Sequence, residues 1–326
     1  MTTHSATAIA HPNIAFIKYW GNSNDRLRLP VNSSISMNLD GLFAETSVEW
    51  LDHLSSDEFT LNGETQTGES LQRVAHHLEI LRNRLGRQSK AKVVSANNFP
   101  TGAGIASSAA AFAALTAAGV AAAGETLSER ELSTIARLGS GSAARSIPSG
   151  FVEWYAADTH EDSYAQSLFA PDYWNLVDIV AVINKGHKAV GSTAGHSSAQ
   201  TSPLQAARVA EANERVARVR AAISERNFND FAEVVELDSN LMHSVMMTSN
   251  PPLFYWEPAS LKIMKLVREW RAEGLRVCYT LDAGPNVHCI CVRSDAETVR
   301  SRLNKLSEVL TTLSANVGGG AQVLQQ

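Results

Sequence analysis

Cysteine is scarce: the 326-residue chain has three, Cys278, Cys289 and Cys291, all late in the sequence. An odd number without zinc-ligand spacing argues against a disulfide framework or a cysteine metal site, and points to buried thiols in a reducing compartment. Cys289 and Cys291 are two apart, so on a strand they share one face. Long apolar runs are missing too. No segment approaches the roughly 18 apolar residues of a bilayer-crossing helix, since the alanine-rich stretch 109–124 is broken by glycine and threonine. Met1–His11 has neither a basic start nor an unbroken apolar run, so no signal peptide is expected and cytoplasmic location is the default. Charge of one sign never accumulates: 28 Lys and Arg against 33 Asp and Glu give a net charge of -5, without the basic footprint of a nucleic-acid binder. The ten histidines form no ligand pair, and no His-Glu-x-x-His occurs, so no metal ligand is assigned.

What is present suits an ordinary globular chain, 44% hydrophobic and 19% charged, able to bury one large core or two modest ones. Strand-like runs cover Thr7–Ile17, Ala44–Leu51 and Glu58–Leu61, the last followed by the tight-turn pair Asn62-Gly63. Helical spacing runs from Gly68 to Leu85 and stops at Gly86. A strand is expected at Ala91–Ala96, a helix to about Ala123, and another from the capping signal at Ser128 to Gly139-Ser-Gly-Ser142. Strands are expected at Phe151–Ala156 and Val177–Ile183, then a polar, mobile stretch over Asn184–Thr201. Helices follow at Pro203–Arg226, Phe228–Met246 and Pro258–Glu273. The chain closes with strands at Arg276–Leu281 and Val287–Val292, a helix over Ala296–Leu313 and a strand near Gln322–Leu324. The grouping predicts an α+β fold with a soft boundary near 184–202.

Four polar clusters fall where the chain turns. Pro100-Thr-Gly-Ala-Gly-Ile-Ala-Ser-Ser108 feeds a helix start, where unpaired N–H groups and the helix dipole favour an anion. Gly102 and Gly104 allow close backbone approach to a phosphate, and Ser107 and Ser108 add hydroxyls. It is neither a Walker A loop nor a dinucleotide fingerprint, and by itself it also suits a loop before any buried helix. Gly139–Ser146 is a second small-residue bend, with Ser140, Ser142 and the forked cation of Arg145. Asn13 and Lys18 are polar amid apolar neighbours; a buried lysine needs an anionic partner, whereas one on an edge strand can snorkel to solvent. Asp282, at a strand end before Ala-Gly-Pro, is either a turn former or a working carboxylate. Together the clusters describe phosphoryl transfer by backbone cradles, cations and one carboxylate.

Six stretches in one order resemble the mevalonate diphosphate decarboxylase family, within the kinase superfamily of galactokinase, homoserine kinase, mevalonate kinase and phosphomevalonate kinase. They are Asn13-Ile-Ala…Lys18-Tyr-Trp-Gly, Leu29-Pro-Val-Asn-Ser-Ser-Ile-Ser, Asn97–Ser108, Gly139–Ser146, Gly150-Phe-Val-Glu-Trp and Asp282-Ala-Gly-Pro-Asn. The resemblance implies an N-terminal part like ribosomal protein S5 domain 2, over 1–188, that binds nucleotide and substrate. It implies a ferredoxin-like C-terminal part, over 189–326, that carries the catalytic aspartate. It further implies ATP with Mg2+, a phosphorylated mevalonate as substrate, no membrane partner, and a homodimer. The 3-hydroxyl would be phosphorylated, and the phosphate would then leave with loss of the C1 carboxylate as CO2. Asp282 would sit at the hydroxyl with Lys18 beside it, and Arg145 and Asn13 would hold the carboxylate. Ser107, Ser108 and Asn97 would serve the nucleotide together with Gly102 and Gly104. Ser140, Gly141, Ser142, Tyr19 and Ser192 would serve the substrate.

Two positions depart from the family pattern. Family members using the 5-diphosphate usually read Tyr-Trp-Gly-Lys, where this chain has Asn22, and carry an arginine where it has Thr193. Losing two cations from the distal subsite fits the smaller anion, and this makes the 5-monophosphate the expected substrate and isopentenyl phosphate the product. The 5-diphosphate is the alternative, with Lys185, His187, Lys188 and His196 able to replace the missing charge. A 3-kinase without decarboxylation and a non-catalytic homologue are the remaining readings.

Overall fold

The computed structural model describes residues 5–99, 107–184, 186 and 191–324, with the backbone alone for 192–194. In chain order come β1 (Ser5–Ala10), β2 (Asn13–Ile17), β3 (Asn22–Asn24), β4 (Leu29–Pro30), β5 (Ser34–Asp40), β6 (Ala44–Leu51), β7 (Glu58–Leu61) and β8 (Glu64–Thr65). Next are α1 (Gly68–Leu85), β9 (Lys90–Asn97), α2 (Ser107–Ala122), α3 (Glu129–Gly139), a 3-10 turn (Gly141–Ser146), β10 (Phe151–Trp154), β11 (Ala165–Phe169) and β12 (Leu176–Val182). The remainder is α4 (Ser192–Ser198), α5 (Gln205–Ala210), α6 (Ala212–Glu225), α7 (Phe228–Thr248), α8 (Pro258–Ala272), β13 (Val277–Thr280), β14 (Val287–Val292), α9 (Ala296–Asn304), β15 (Thr311–Val317) and β16 (Gln322–Leu324). The α+β expectation holds.

A six-stranded sheet runs β16-β1-β6-β9-β7-β8. Its strands β1, β6 and β9 alternate buried and more exposed residues, because only one face packs on helices. Those helices are α1, α2 and α3, which meet the sheet in one apolar core with Val48, Trp50, Leu78, Phe112 and Ile135. The alanine-rich α2 is buried on nearly every side, and its small side chains let neighbours come close. The Trp50 indole N–H donates to Gly119 O at 2.9 Å. The Ser128 capping box opens α3 as its sequence predicts, and Asn62 and Gly63 both take positive φ in the β7–β8 turn.

The second sheet has eight strands, β11-β10-β5-β15-β12-β14-β13 with β2 paired to β5, and draws them from both sides of residue 188. Its β12 and β14 are buried along their whole length. One face packs on α6 and α7 through Val216, Val219, Phe231 and Val235. The other packs on α8 and α9 through Ile263, Val267, Val299 and Leu303. Cys278 lies in the first of these cores, and Cys289 and Cys291 in the second, all fully buried.

Five expectations change. Thr7–Ile17 is two strands, broken at His11-Pro12. The stretch Leu29–Ser36, noted without any strand, runs into β5, a strand over Ser34–Asp40 shared by β10, β15 and β2. The helix expected over Ala296–Leu313 stops at Asn304, and β15 follows; the slot between β5 and β12 takes 311–317 as a strand, and pairing there overrides local preference. Pro203–Arg226 divides into α5 and α6 at Glu211. Part of the stretch read as a mobile loop is helical, as α4.

Gly139 closes α3 against α1 and α2: a Cβ there would overlap the Phe112 ring and lie 2.9 Å from His77 Nδ1. Gly139→Ala is expected to destabilise the fold by about 1–3 kcal/mol through overpacking, read as a lower midpoint in denaturant unfolding with unchanged slope.

Candidate active site

The residue after β2, the loop after β13, the 3-10 turn and the start of α2 converge. Lys18 is 1% exposed and donates from Nζ to Asp282 Oδ1 at 2.7 Å, whereas the Asp282 side chain keeps 26% of its surface. The anionic partner demanded by a buried lysine is therefore Asp282, and snorkelling is excluded. The Lys18 backbone is held as firmly. Its N–H donates to Asp238 Oδ2 at 2.6 Å, and its carbonyl accepts from Arg208 at 2.7 Å and Asn32 at 3.0 Å. Asp238 is in turn bound by Arg215 Nε at 2.8 Å.

Burial favours a neutral carboxyl at Asp282, but Lys18, then His288 and Arg145, outweigh it and hold the group below the ordinary aspartate range. Burial also pulls the Lys18 ammonium down from its usual value, against Asp282. His243, on α7, is stacked on Trp256 with ring centroids 4.9 Å apart, and burial takes it down to about 3, so it is neutral here.

Arg145 and Asn13 form one unit. Arg145 Nε and Nη2 donate to Asn13 Oδ1 at 3.2 and 3.1 Å, Nε also to Ser36 Oγ at 3.1 Å, and Nη1 to Ser34 Oγ at 2.6 Å. Asn13 Nδ2 donates to Ser142 O at 3.0 Å and Ser146 Oγ at 2.8 Å. All of the guanidinium's partners are neutral, so its charge stays available to an anion. Burial lowers it only to about 10, which leaves it cationic at neutral pH.

The two small-residue bends meet. Ser108 Oγ lies 3.1 Å from Ser140 Oγ, and Ser140 Oγ 3.4 Å from Ser142 Oγ. Gly141 presses on Tyr19, where a Cβ would come within 2.5 Å of the ring. Burial raises the Tyr19 phenol, whose hydroxyl donates to Asn22 Oδ1. Ser107, Ser108, Asn97 and Arg73 line a cleft beside apolar Phe59, Leu61, Val93 and Leu115. It encloses about 730 Å³, open mouth included. Asn97 Oδ1 is buried there without a hydrogen-bond partner among the described residues. Such a cleft suits a planar ring with a polar edge, next to a helix start that suits phosphate.

Gly102 and Gly104 lie outside the described residues, as do Lys185, His187 and Lys188 and the side chains of Ser192 and Thr193. Ser192 opens α4. His196 is not the mobile cation expected of it. It is buried in α4, stacked on Tyr19 with centroids 4.0 Å apart, and its Nδ1 accepts the Gly21 N–H at 3.0 Å, which requires that nitrogen unprotonated. Sequence reasoning noted the run holding Ser34 and Ser36 but gave neither a role, although their alternation in Asn-Ser-Ser-Ile-Ser puts both on one face of β5. Asp238, Arg208 and Arg215 carried no local signal at all.

A buried cation pair, a strand-end carboxylate and a hydroxyl-lined helix start define a small-molecule site of the phosphoryl-transfer class. The comparisons narrow it. Residues 10–165 match the family model described as the diphosphomevalonate decarboxylase-like N-terminal domain. Residues 178–323 match the mevalonate 5-diphosphate decarboxylase C-terminal domain. The diphosphomevalonate decarboxylase mvd1 of Aspergillus fumigatus is 38% identical over 331 residues, covering 94% of this chain and 81% of its own. The crystal structure of mevalonate diphosphate decarboxylase from Staphylococcus aureus superposes with a TM-score of 0.94 at 37% identity, over 98% of each chain. The Enterococcus faecalis enzyme, in a structure concerned with mevalonate diphosphate-mediated ATP binding, gives 0.92 at 36% identity over 99% of each chain. The chain belongs to the mevalonate diphosphate decarboxylase family.

Among the described residues, Lys18→Met removes the one cation in contact with Asp282 and is expected to cost about 3 kcal/mol at pH 7, as when one partner of a buried pair is removed. Asp282 is depressed in the wild type, so its contribution is present at neutral pH and lost as pH falls through its folded value; in the variant the carboxyl can protonate earlier. The gap between the two proteins should therefore narrow toward pH 3.5, read by urea unfolding at both pH values.

Proposed function

We propose that the chain is an ATP- and Mg2+-dependent decarboxylase of 5-diphosphomevalonate, producing isopentenyl diphosphate, ADP, phosphate and CO2. The Lys18–Asp282 pair, with the Arg145 cation acting on the same carboxylate, carries the reading, and the names of the relatives support it. A complex described as MDDEF with MVAPP, AMPPCP and magnesium, 37% identical with a TM-score of 0.93 over 99% of each chain, supports the cofactors. The residues fit them: the cleft has an unpartnered buried amide oxygen at Asn97, and the helix start presents Ser107 and Ser108. No cluster of three His, Cys, Asp or Glu able to hold a metal occurs among the described residues. When bound, Mg-ATP supplies the phosphoryl group and neutralises its charge.

The chain's own residues do the rest. Asp282, kept ionised by Lys18, orients the 3-hydroxyl and accepts its proton late, since a loose phosphoryl transfer needs little early deprotonation of a tertiary alcohol. Arg145, pre-set by Asn13, Ser34 and Ser36, holds the C1 carboxylate. As the C3–O bond breaks, the C1–C2 electron pair becomes the C2=C3 double bond and C1 leaves as CO2. Once the hydroxyl's proton has passed on from the partly exposed Asp282 to solvent, the restored carboxylate stabilises positive character building at C3. Ser140, Gly141, Ser142 and Tyr19 line the substrate's side, with Ser192 at the start of α4.

The 5-diphosphate reverses the order of the two substrates expected from the sequence. One observation favours the monophosphate as a second reading: Asn22 is neutral, and its amide bonds Tyr19 and Asp25. Side-by-side kcat/KM decides, with a preference of about tenfold or more expected for the diphosphate. A tenfold preference for the monophosphate would transfer the assignment to the second reading. Asp282→Asn is expected to lower kcat by about 1,000-fold or more with little change in KM. A loss confined to KM would make Asp282 a binding group only.

A further inference from the structure

Two buried ionisable groups have no part in the roles above. Asp178 is the one charged residue of β12, whose other positions are Leu, Val, Ile, Val, Ala and Val, and His288 sits in the equally buried β14. Their side chains are 0% and 1% exposed, and His288 Nδ1 lies 2.6 Å from Asp178 Oδ2. A carboxylate sealed in an apolar core is costly unless a cation and hydrogen bonds meet it. The pairing therefore favours an imidazolium.

The sheet carries that charge toward Asp282. His288 is opposite Val180 on β12 and opposite Thr280 on β13. Directly opposed residues share a face, as do residues two apart. Thr280 thus points with His288 toward β2, where its hydroxyl reaches Ala15 O at 3.5 Å. Asp282 follows Thr280 by two residues. Among the described residues, Asp178 from β12, Asp282 beyond β13 and Lys18 beyond β2 are charged groups that act on His288. His243 of α7, on which Lys18 and Asp282 also act, is neutral because of its burial. Burial opposes the His288 imidazolium, but Asp178 and then Asp282 outweigh burial and raise it above the usual histidine value. His288 is also the second-largest charge holding Asp282 ionised, after Lys18.

We propose that His288, held by Asp178, is a positioning residue for Asp282: its imidazolium adds a second positive charge to that of Lys18, so that the carboxylate is ionised when the substrate hydroxyl arrives. The alternating order Asp178, His288, Asp282, Lys18 makes each charge the counter-ion of the next. The proposal rests on the reading of Asp282 given above.

Two experiments test it on the full chain. In the first, ¹⁵N-histidine NMR follows the His288 imidazole with pH. The expected midpoint lies above the ordinary value of about 6.5, and in Asp282→Asn it falls by about half a unit or more. A midpoint below 6.5, or one that Asp282→Asn leaves in place, overturns the proposal, and this arm needs no turnover. In the second, kcat/KM is measured against pH. His288→Gln and Asp178→Asn are each expected to move the acid limb up by about one unit, and His288→Lys to restore it by returning the charge. An acid limb for folded His288→Gln that superimposes on the wild type makes the pair structural and overturns the proposal; should that variant not fold, the NMR arm decides. Failure to turn over any mevalonate phosphate would sink the proposed function and leave the NMR result to judge the coupling by itself.

Discussion

The ion pair between Lys18 and Asp282 joins positions 264 residues apart in the chain and is the contact on which the site depends. Lys18 is sealed in the protein, so its charge would be prohibitive without a partner. Asp282 is only partly sealed, so it can serve Lys18 and still face a ligand. This asymmetry separates a working pair from a purely structural one. It also explains the supports behind Lys18. Both backbone groups of that residue are taken up, by Asp238 on one side and by Arg208 and Asn32 on the other. The ammonium is thus delivered by a fixed main chain, and the four-carbon stem has little left to choose.

Arg145 shows the opposite solution. Its guanidinium is oriented by an amide and two serine hydroxyls, and none of these neutralises it. A carboxylate partner there would hold the arginine equally well and would compete with the substrate's own carboxylate. The protein can carry a net charge of -5 and still present a positive pocket, because Asp282 and Asp238 are each bound to a cation, Lys18 and Arg215, while Arg145 is not neutralised.

The parts of this arrangement that local sequence records were legible. Capping at Ser128, the Asn62-Gly63 turn, and helices α1 and α7 follow from short-range chemistry, and the need of Lys18 for an anion follows from its apolar neighbours. What was not legible depends on pairing across the chain. The strand at 311–317 exists because β5 and β12 leave a slot for it, and Asp238 gains its role only when α7 lies against the end of β2. His196 is the sharpest case. A histidine in a Gly/Ser-rich stretch reads as a spare cation, yet the ring stacks on Tyr19 and accepts from Gly21 N–H. That contact is decided by where α4 packs, and nothing within a few residues of His196 signals it.

This placement of His196 bears on the substrate's distal phosphate. If His196 and Asn22 are both engaged as neutral partners around Tyr19, neither brings a formal charge to a second phosphate. Whatever selectivity this edge of the site has must then come from hydrogen-bond donors, from backbone groups, or from residues of the 185–190 segment. Donors can discriminate by geometry, since an unmet buried donor or acceptor is expensive. They discriminate weakly by charge. Among the described residues at this edge, a preference for the diphosphate therefore rests on hydrogen-bond geometry, and the strong electrostatics are kept at Lys18, Arg145 and Asp282.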